Sequence, residues 1–181
     1  MSKPILLVSA AFAFTVAILV LGYVSFGFWT MLIFSSGFLG GFIIWLFSAS
    51  KISYSAIKVP YLVTLGLFIV HRIEENRMLF QQRLSGLTGV PTPEVTSLSL
   101  ILLLLLTVGA WLLGPFLLKR GYPFGGYLVW TFFAAMGITE LAHFIFPFFT
   151  GEPYGYFPGM ASVVLLAPAA WWGMRRSARK V

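Results

Sequence analysis

The sequence predicts an all-α, polytopic transmembrane helix bundle, and three observations support that prediction. Of its 181 residues, 59% are apolar and only 9% are charged, whereas a soluble domain carries about 25% charged residues. The apolar residues gather in six long stretches, and most Lys and Arg residues lie between them. The 19 Phe, 7 Tyr and 6 Trp residues also exclude a disordered chain, because such chains have few aromatic side chains.

Each apolar stretch approaches the roughly 20 helical residues that cross about 30 Å of hydrocarbon. None shows the short, turn-separated alternation that the strands of a membrane β-barrel require. The first stretch is longer than the apolar region of a signal peptide, and no A-x-A cleavage site follows it, so we expect an uncleaved helix. The six stretches are 4–24, 27–48, 59–80, 95–118, 127–148 and 159–174.

The positions of Lys and Arg predict the orientation of the chain. With six crossings and the N-terminus inside, nine basic residues fall in inside segments and one, Arg83, falls in an outside loop. Cytoplasmic loops carry such an excess, so we expect both termini in the cytoplasm and the chain in a cell inner or plasma membrane. The net charge of +7 then needs no nucleic-acid partner. The nine residues are Lys3, Lys51, Lys58, Lys119, Arg120, Arg175, Arg176, Arg179 and Lys180.

Ionisable residues inside two of the stretches mark the candidate site. In the third stretch, His71, Glu74 and Glu75 share one side of a helix, because each residue advances by about 100°. In the fifth, Glu140 and His143 are one turn apart. Both stretches run outward in the predicted topology, so the two groups lie at a similar depth in the outer half. Since ionisable side chains in hydrocarbon are costly and usually functional, we expect these helices to be neighbours that share one polar site.

One interpretation of this cluster is a metal site. The chain has no Cys, which excludes thiolate zinc sites, but His/Glu pairs three residues apart on facing helices bind metals in helical bundles. Two imidazoles with carboxylate suit a mononuclear zinc or non-haem iron(II) site. The expected cofactor is one divalent metal ion, Zn or Fe. Its expected ligands are His71, Glu74, Glu140 and His143.

Other interpretations need no metal. Closely spaced carboxylates and imidazoles suit proton transfer, either in an enzyme or in the proton relay of a channel or transporter. A structural ion network is the remaining alternative, in which Arg72 and Arg77 neutralise Glu75 and Glu74, and His143 bonds to a backbone carbonyl. The sequence leaves these alternatives open.

The function that these residues favour is that of an enzyme acting on a lipophilic substrate. The expected partners are the lipid bilayer and a lipophilic small molecule, with no nucleic acid. Tyr156 stands before the sixth stretch on the same outer side and is expected to donate to a carboxylate of the cluster. The expected catalytic residues are His71, Glu74, Glu75, Glu140, His143 and Tyr156.

The same residues resemble the HXXEE-motif integral membrane proteins. H-x-x-E-E occurs at His71, Glu74 and Glu75, a second histidine is His143, and Y-x-P-G occupies 156–159. Many members of that family carry Asn three residues before the second histidine, where this chain has Glu.

The resemblance covers 59–176 and implies the domain organisation. It implies a four-helix hydrophobic domain at 59–181 that ends in a basic cytoplasmic tail. The segment 1–58 is then an additional two-helix hairpin. The family brings no biochemical activity with it, so the resemblance implies the site residues and leaves the reaction open.

Overall fold

The computed structural model describes residues 3–48 and 51–179. This part of the chain folds into α-helices and two short 3₁₀ segments and contains no β-strand, which confirms the all-α prediction. The helices are α1 (Ile5–Phe47), α2 (Tyr54–Arg77), α3 (Phe80–Thr88), α4 (Leu98–Lys119), α5 (Pro123–Gly137) and α6 (Met160–Ala178), and the 3₁₀ segments are Thr139–Phe144 and Phe146–Phe149.

Four helical segments within the described residues are long and apolar enough to cross a membrane. They are α1, α2, α4 and the segment Pro123–Phe144, which joins α5 to the first 3₁₀ segment. α6 is not among them, and its last turn carries Arg175 and Arg176. Helices of this length and composition indicate a membrane protein.

α1 contains the first two predicted stretches, and it folds back on itself at Gly27. The backbone there has φ 71° and ψ −179°, a combination that is essentially restricted to glycine. A straight helix of 43 residues would be about 65 Å long, yet the Lys3 Nζ donates to Leu46 O at 3.1 Å and to Ser48 O at 2.7 Å. The two halves of α1 therefore lie antiparallel, as a hairpin.

α5 is the central helix of the bundle. Every residue from Gly125 to Gly137 is buried, and α1, α4 and α6 pack around it. Gly37 and Gly41 of α1 allow this contact, because a Cβ at either position would overlap the backbone of α5. Small residues permit such close approach between membrane helices, so α5 holds a fixed position from which the chain leads into the site.

α2 packs mainly along α6 and only touches α5. The third and fifth stretches therefore meet mainly where their polar residues lie, with His71 Nε2 3.2 Å from Glu140 Oε2. The fifth stretch departs from the expected helix, since α5 ends at Gly137 and the chain continues as 3₁₀ turns. The third stretch likewise ends early, at Arg77, and a left-handed Leu79 (φ 57°) separates it from α3.

The end of α5 has a specific cause. The indole Nε1 of Trp171 in α6 donates to Gly137 O at 2.6 Å, so this carbonyl is engaged outside its own helix. The Leu141 N–H then donates to Ile138 O at 3.2 Å, which is the shorter-range bond of a 3₁₀ turn. This switch to the tighter helix sets the direction in which Glu140 and His143 leave α5.

The charged residues divide between the two ends of the bundle. At one end, Lys3 lies beside the end of α1, Lys119 lies 5.8 Å from the ring centre of Tyr54, and Met174 of α6 packs near Trp45. We call this the basic end. It carries Lys3, Lys51, Lys58, Lys119, Arg120, Arg175, Arg176 and Arg179.

The opposite end holds all five glutamates of the chain, so we call it the site end. Glu74 and Glu75 stand in the last turn of α2, and Glu94 and Glu152 stand in the loops that lead into α4 and α6. Glu140 follows the end of α5. The bundle is therefore electrically polarised along its length.

Candidate metal centre

Two histidines and two glutamates meet at the site end. His71 and Glu75 are one turn apart on α2, while Glu140 and His143 are three residues apart on the first 3₁₀ segment, where residues i and i+3 lie on the same face. One ligand atom from each residue lies within 4.8 Å of all the others. We call these four residues the His/Glu cluster.

Four of the six distances between the ligand atoms of the His/Glu cluster, those from each imidazole to each carboxylate, are close to the distances between the ligands of a tetrahedral metal ion. His71 Nε2 lies 3.2 Å from Glu140 Oε2 and 3.6 Å from Glu75 Oε1. His143 Nε2 lies 3.3 Å and 3.4 Å from the same two oxygens. Ligands bound to zinc at 2.0–2.1 Å in a tetrahedron are separated from each other by about 3.3–3.4 Å. The four N···O separations therefore bracket the value that a shared metal ion requires.

Hydrogen bonds on the far side of each imidazole define its tautomer. His143 Nδ1 lies 2.5 Å from Pro158 O, and because a carbonyl only accepts, Nδ1 carries the proton. His71 Nδ1 lies 2.8 Å from Ser162 Oγ, which itself donates to Gly159 O at 3.2 Å. The serine hydroxyl therefore accepts from His71. In the neutral form, both Nε2 lone pairs point into the cluster, as the outer hydrogen bonds of metal-binding histidines arrange them.

The cluster is buried and short of positive charge. The side chains of His71, His143 and Glu75 are 0–3% exposed and that of Glu140 is 14% exposed. Glu75 Oε2 pairs with Arg72, whose side chain is 44% exposed, but Glu75 Oε1 is buried without a hydrogen bond among the described residues. Buried carboxylates need compensating charge, and a divalent cation or two protonated imidazoles would supply it.

Glu74 lies outside the His/Glu cluster, so the structure does not bring it together with the other three expected metal ligands. Its carboxylate accepts the N–H groups of Ser162 at 2.8 Å, Ala161 at 3.1 Å and Gly159 at 3.2 Å. These are among the N–H groups that the start of a helix leaves without intrahelical partners, and a carboxylate there also complements the helix dipole. Glu74 therefore caps α6, and Glu75 occupies the position in the cluster that was expected for Glu74.

Tyr156 donates to one of the predicted carboxylates, as expected, but that carboxylate is Glu74, which lies outside the His/Glu cluster. Its hydroxyl donates to Glu74 Oε1 at 2.5 Å. Burial, together with this carboxylate, raises the pKa of Tyr156 to about 12, so the hydroxyl remains a donor at neutral pH. Tyr156 and Glu74 together fasten the turn before α6 to the end of α2.

Three groups that sequence reasoning missed surround the imidazoles. Ser162 and the Pro158 carbonyl hold the two Nδ1 atoms, and Gly159 packs directly against both rings. The sequence placed Pro158 and Gly159 at the start of the sixth stretch without connecting them to the histidines. Ser162 alone had a signal that could have been used, as a polar residue in the first turn after the Y-x-P-G motif.

The ion pairs expected of a structural network are present in part. Arg72 pairs with Glu75 as expected, and His143 bonds to a backbone carbonyl. Glu74, expected to pair with Arg77, instead bonds to Tyr156 and to the start of α6. The network interpretation therefore accounts for Glu75, which pairs with Arg72. It does not explain why the Glu140 carboxylate lies between two imidazoles.

Comparison with known proteins adds no name to this arrangement. No family model matches the chain, and no curated protein or solved structure matches it. A function for this chain is accordingly inferred from the geometry of the His/Glu cluster.

Proposed function

We propose that this chain is an integral membrane metalloprotein that binds one divalent ion, zinc or iron(II), at His71, Glu75, Glu140 and His143. The observation that carries the proposal is the set of four N···O separations of 3.2–3.6 Å. The Nδ1 atoms of both imidazoles are hydrogen-bonded to Ser162 and to the Pro158 carbonyl, so the Nε2 atoms face the proposed metal position. Imidazole and carboxylate ligands in this number suit both metals.

We propose six membrane crossings, made by the two halves of α1, by α2, α4, Pro123–Phe144 and α6. The hairpin at Gly27 supports two crossings within α1, since each half, 5–26 and 28–47, is long enough to span on its own. Both termini then lie at the basic end. The excess of Lys and Arg there supports a cytoplasmic location for that end, with the His/Glu cluster in the opposite half of the membrane.

We propose that the metal centre belongs to an enzyme acting on a lipophilic substrate. A bound divalent metal polarises a substrate oxygen or activates a water molecule. Among the four ligands, Glu140 has the most exposed side chain, at 14%, so it is the ligand best placed to yield its position to a substrate or water molecule, as an open catalytic site requires. Its carboxylate would then be free to accept a proton, while the ion pair with Arg72 holds Glu75 in place as a ligand.

Membership of the HXXEE-motif membrane proteins is part of the same proposal. What supports it is that the motifs converge: Glu75 meets His71 and His143, while Glu74 binds the Y-x-P-G turn at Tyr156 and Gly159. The two adjacent glutamates thus have separate tasks. One faces the cluster, and the other fixes the turn that holds both imidazoles.

A metal-free proton relay is the second candidate, and the same distances favour it. Each Nε2 lies 3.2–3.6 Å from two carboxylate oxygens, a range that doubly protonated imidazoles can also adopt. Such a network could carry protons in a channel or transporter, or serve only to hold the fold together. Metal binding separates these alternatives, because a bound cation and a proton on Nε2 exclude each other.

The test is metal binding by the purified protein in detergent after chelation and dialysis. We expect one zinc or iron(II) ion per chain, measured by elemental analysis and by titration under anaerobic conditions. Glu75→Gln should lower the affinity at least tenfold, whereas Glu152→Gln, a charge-matched change in a loop at the same end, should leave it unchanged. A wild-type protein that binds neither metal, or a Glu75→Gln variant that binds like wild type, would overturn the proposal in favour of the metal-free candidate.

A further inference from the structure

A cavity of about 430 Å³ lies at the basic end, far from the His/Glu cluster. It is an open hollow on the surface, since its lining comes only from the C-terminal half of α6 and from Arg179, which directly follows the helix. We call it the Trp/Arg groove. The lining residues are Pro168, Trp171, Trp172, Arg175, Arg176 and Arg179.

The Trp/Arg groove is apolar at one end and positively charged at the other. Its residues recur every three or four positions, so they share one face of α6. The face is apolar from Pro168 to Trp172 and cationic from Arg175 to Arg179. The cationic part stands at the end of the helix, where it would meet the headgroup region, and the apolar part extends toward the bilayer interior. A phospholipid has the same order of groups, from phosphate through glycerol to acyl chain.

The arginines of the groove lack acidic partners. Within the described residues, none of the ion pairs involves Arg175, Arg176 or Arg179. All five glutamates of the chain lie at the site end, so none of them is near these side chains. Guanidinium groups bind phosphate oxygens in pairs of parallel hydrogen bonds. An external phosphate is therefore the ligand that this charge pattern fits.

The apolar part of the groove is held in a fixed geometry. The Trp171 Nε1 donates to Gly137 O at 2.6 Å, which orients its indole ring, yet Trp171 and Trp172 remain 43% and 39% exposed. Tryptophan favours the membrane interface because its ring is amphipathic. The two rings therefore present a preformed apolar surface directly beside the arginines.

We propose that the Trp/Arg groove binds one phospholipid with an anionic headgroup, taken from the leaflet that faces the basic end. The arginines bind the phosphate, and the tryptophans and Pro168 contact the glycerol region and the upper acyl chain. This site does not depend on the proposed metal ion, since it shares no residue with the His/Glu cluster. Removal of the metal should leave lipid binding unchanged.

The test counts lipids bound to the purified protein in an uncharged detergent, where no membrane surface potential contributes. Phosphatidylglycerol and phosphatidylcholine with identical acyl chains are titrated separately and followed by native mass spectrometry. We expect one phosphatidylglycerol per chain, bound at least tenfold more tightly than phosphatidylcholine. Arg175→Gln with Arg176→Gln should weaken its binding at least tenfold, because it removes two of the guanidinium groups that pair with the phosphate oxygens.

The matched control is Lys119→Gln with Arg120→Gln, which removes the same charge at the same end outside the groove. Lys119 and Arg120 lie over the rings of Tyr54 and Phe116, and this control should retain the lipid. The single change Arg176→Gln, at an exposed position, provides a milder variant should the double variant fold poorly.

Three outcomes would overturn the proposal. Equal binding of the two lipids would exclude recognition of the headgroup charge. Equal loss in the two double variants, or no loss in the groove variants, would exclude the groove as the site. Complete displacement of the lipid by millimolar inorganic phosphate would indicate a site for free phosphate instead.

Discussion

Replacing Gly159 with alanine tests whether the turn before α6 shapes the metal centre. Gly159 has φ 98°, and a Cβ there would overlap the ring of His143 and stand 2.9 Å from Cε1 of His71. Ordinary contacts begin at 3.4 Å, so the His71 ring alone must retreat by about 0.5 Å, more than the ±0.2 Å that metal–ligand distances tolerate. We therefore expect the variant to bind zinc at least tenfold more weakly than wild type.

The expected loss of stability of Gly159→Ala has two parts. A positive φ costs a residue with a Cβ about 1–2 kcal/mol, and forcing an extra carbon into a packed site costs about 1–3 kcal/mol. The sum is about 2–5 kcal/mol in the free energy of unfolding, measured by denaturant titration in detergent.

Alanine substitutions at two other glycines of the same loop separate the backbone cost from the packing cost. Gly151 has φ 73° and open space around its Cβ position, so Gly151→Ala carries the backbone cost alone. At Gly155 a Cβ would meet only Pro153 O, at 3.7 Å, so Gly155→Ala should be nearly neutral. A Gly159→Ala variant that is no less stable than Gly151→Ala and binds zinc like wild type would refute the reasoning.

Three further predictions concern the surroundings of the cluster and the topology. Tyr156→Phe removes the hydrogen bond to Glu74 and should lower the free energy of unfolding by about 1 kcal/mol. Hydrogen bonds to charged groups are worth about 1.5–3 kcal/mol, and the exposure of this tyrosine places its bond below that range. The variant should still bind one metal ion per chain. Ser162→Ala removes the acceptor of His71 Nδ1 and should weaken zinc binding about tenfold in titration. It should also lower the free energy of unfolding by about 1–3 kcal/mol, because a buried N–H is left without a partner. Glu152→Cys, the single cysteine in a chain that has none, should react with an impermeant maleimide from outside intact cells; labelling only after the cytoplasmic side is opened would invert the proposed orientation.

The helices could be predicted from the sequence because each crossing needs a long apolar stretch. That requirement is local, and it identified the apolar residues of α1, α2, α4, α5 and α6. The details that failed depend on contacts between distant residues. α5 ends at Gly137 because Trp171, 34 positions along the chain, donates a hydrogen bond to the Gly137 carbonyl. A bond between residues so far apart cannot be predicted from a local sequence pattern.

The site shows the same division between local and distant causes. Helical spacing placed both Glu74 and Glu75 on the side of His71, since residues three and four positions apart both lie near the starting residue. It could not choose between them as a ligand. The choice is made by the N-terminus of α6, whose N–H groups donate to the Glu74 carboxylate and leave Glu75 to face the histidines.

X-ray absorption spectroscopy of the zinc-loaded wild-type protein tests the central claim most directly. We expect a first shell of about four nitrogen and oxygen ligands at roughly 2.0–2.1 Å, with the outer-shell scattering of two imidazoles contributed by His71 and His143. Glu75→Gln should change that shell, and Glu152→Gln should not. Zinc surrounded by oxygen alone, without imidazole scattering, would contradict the assignment of the His/Glu cluster as a metal centre.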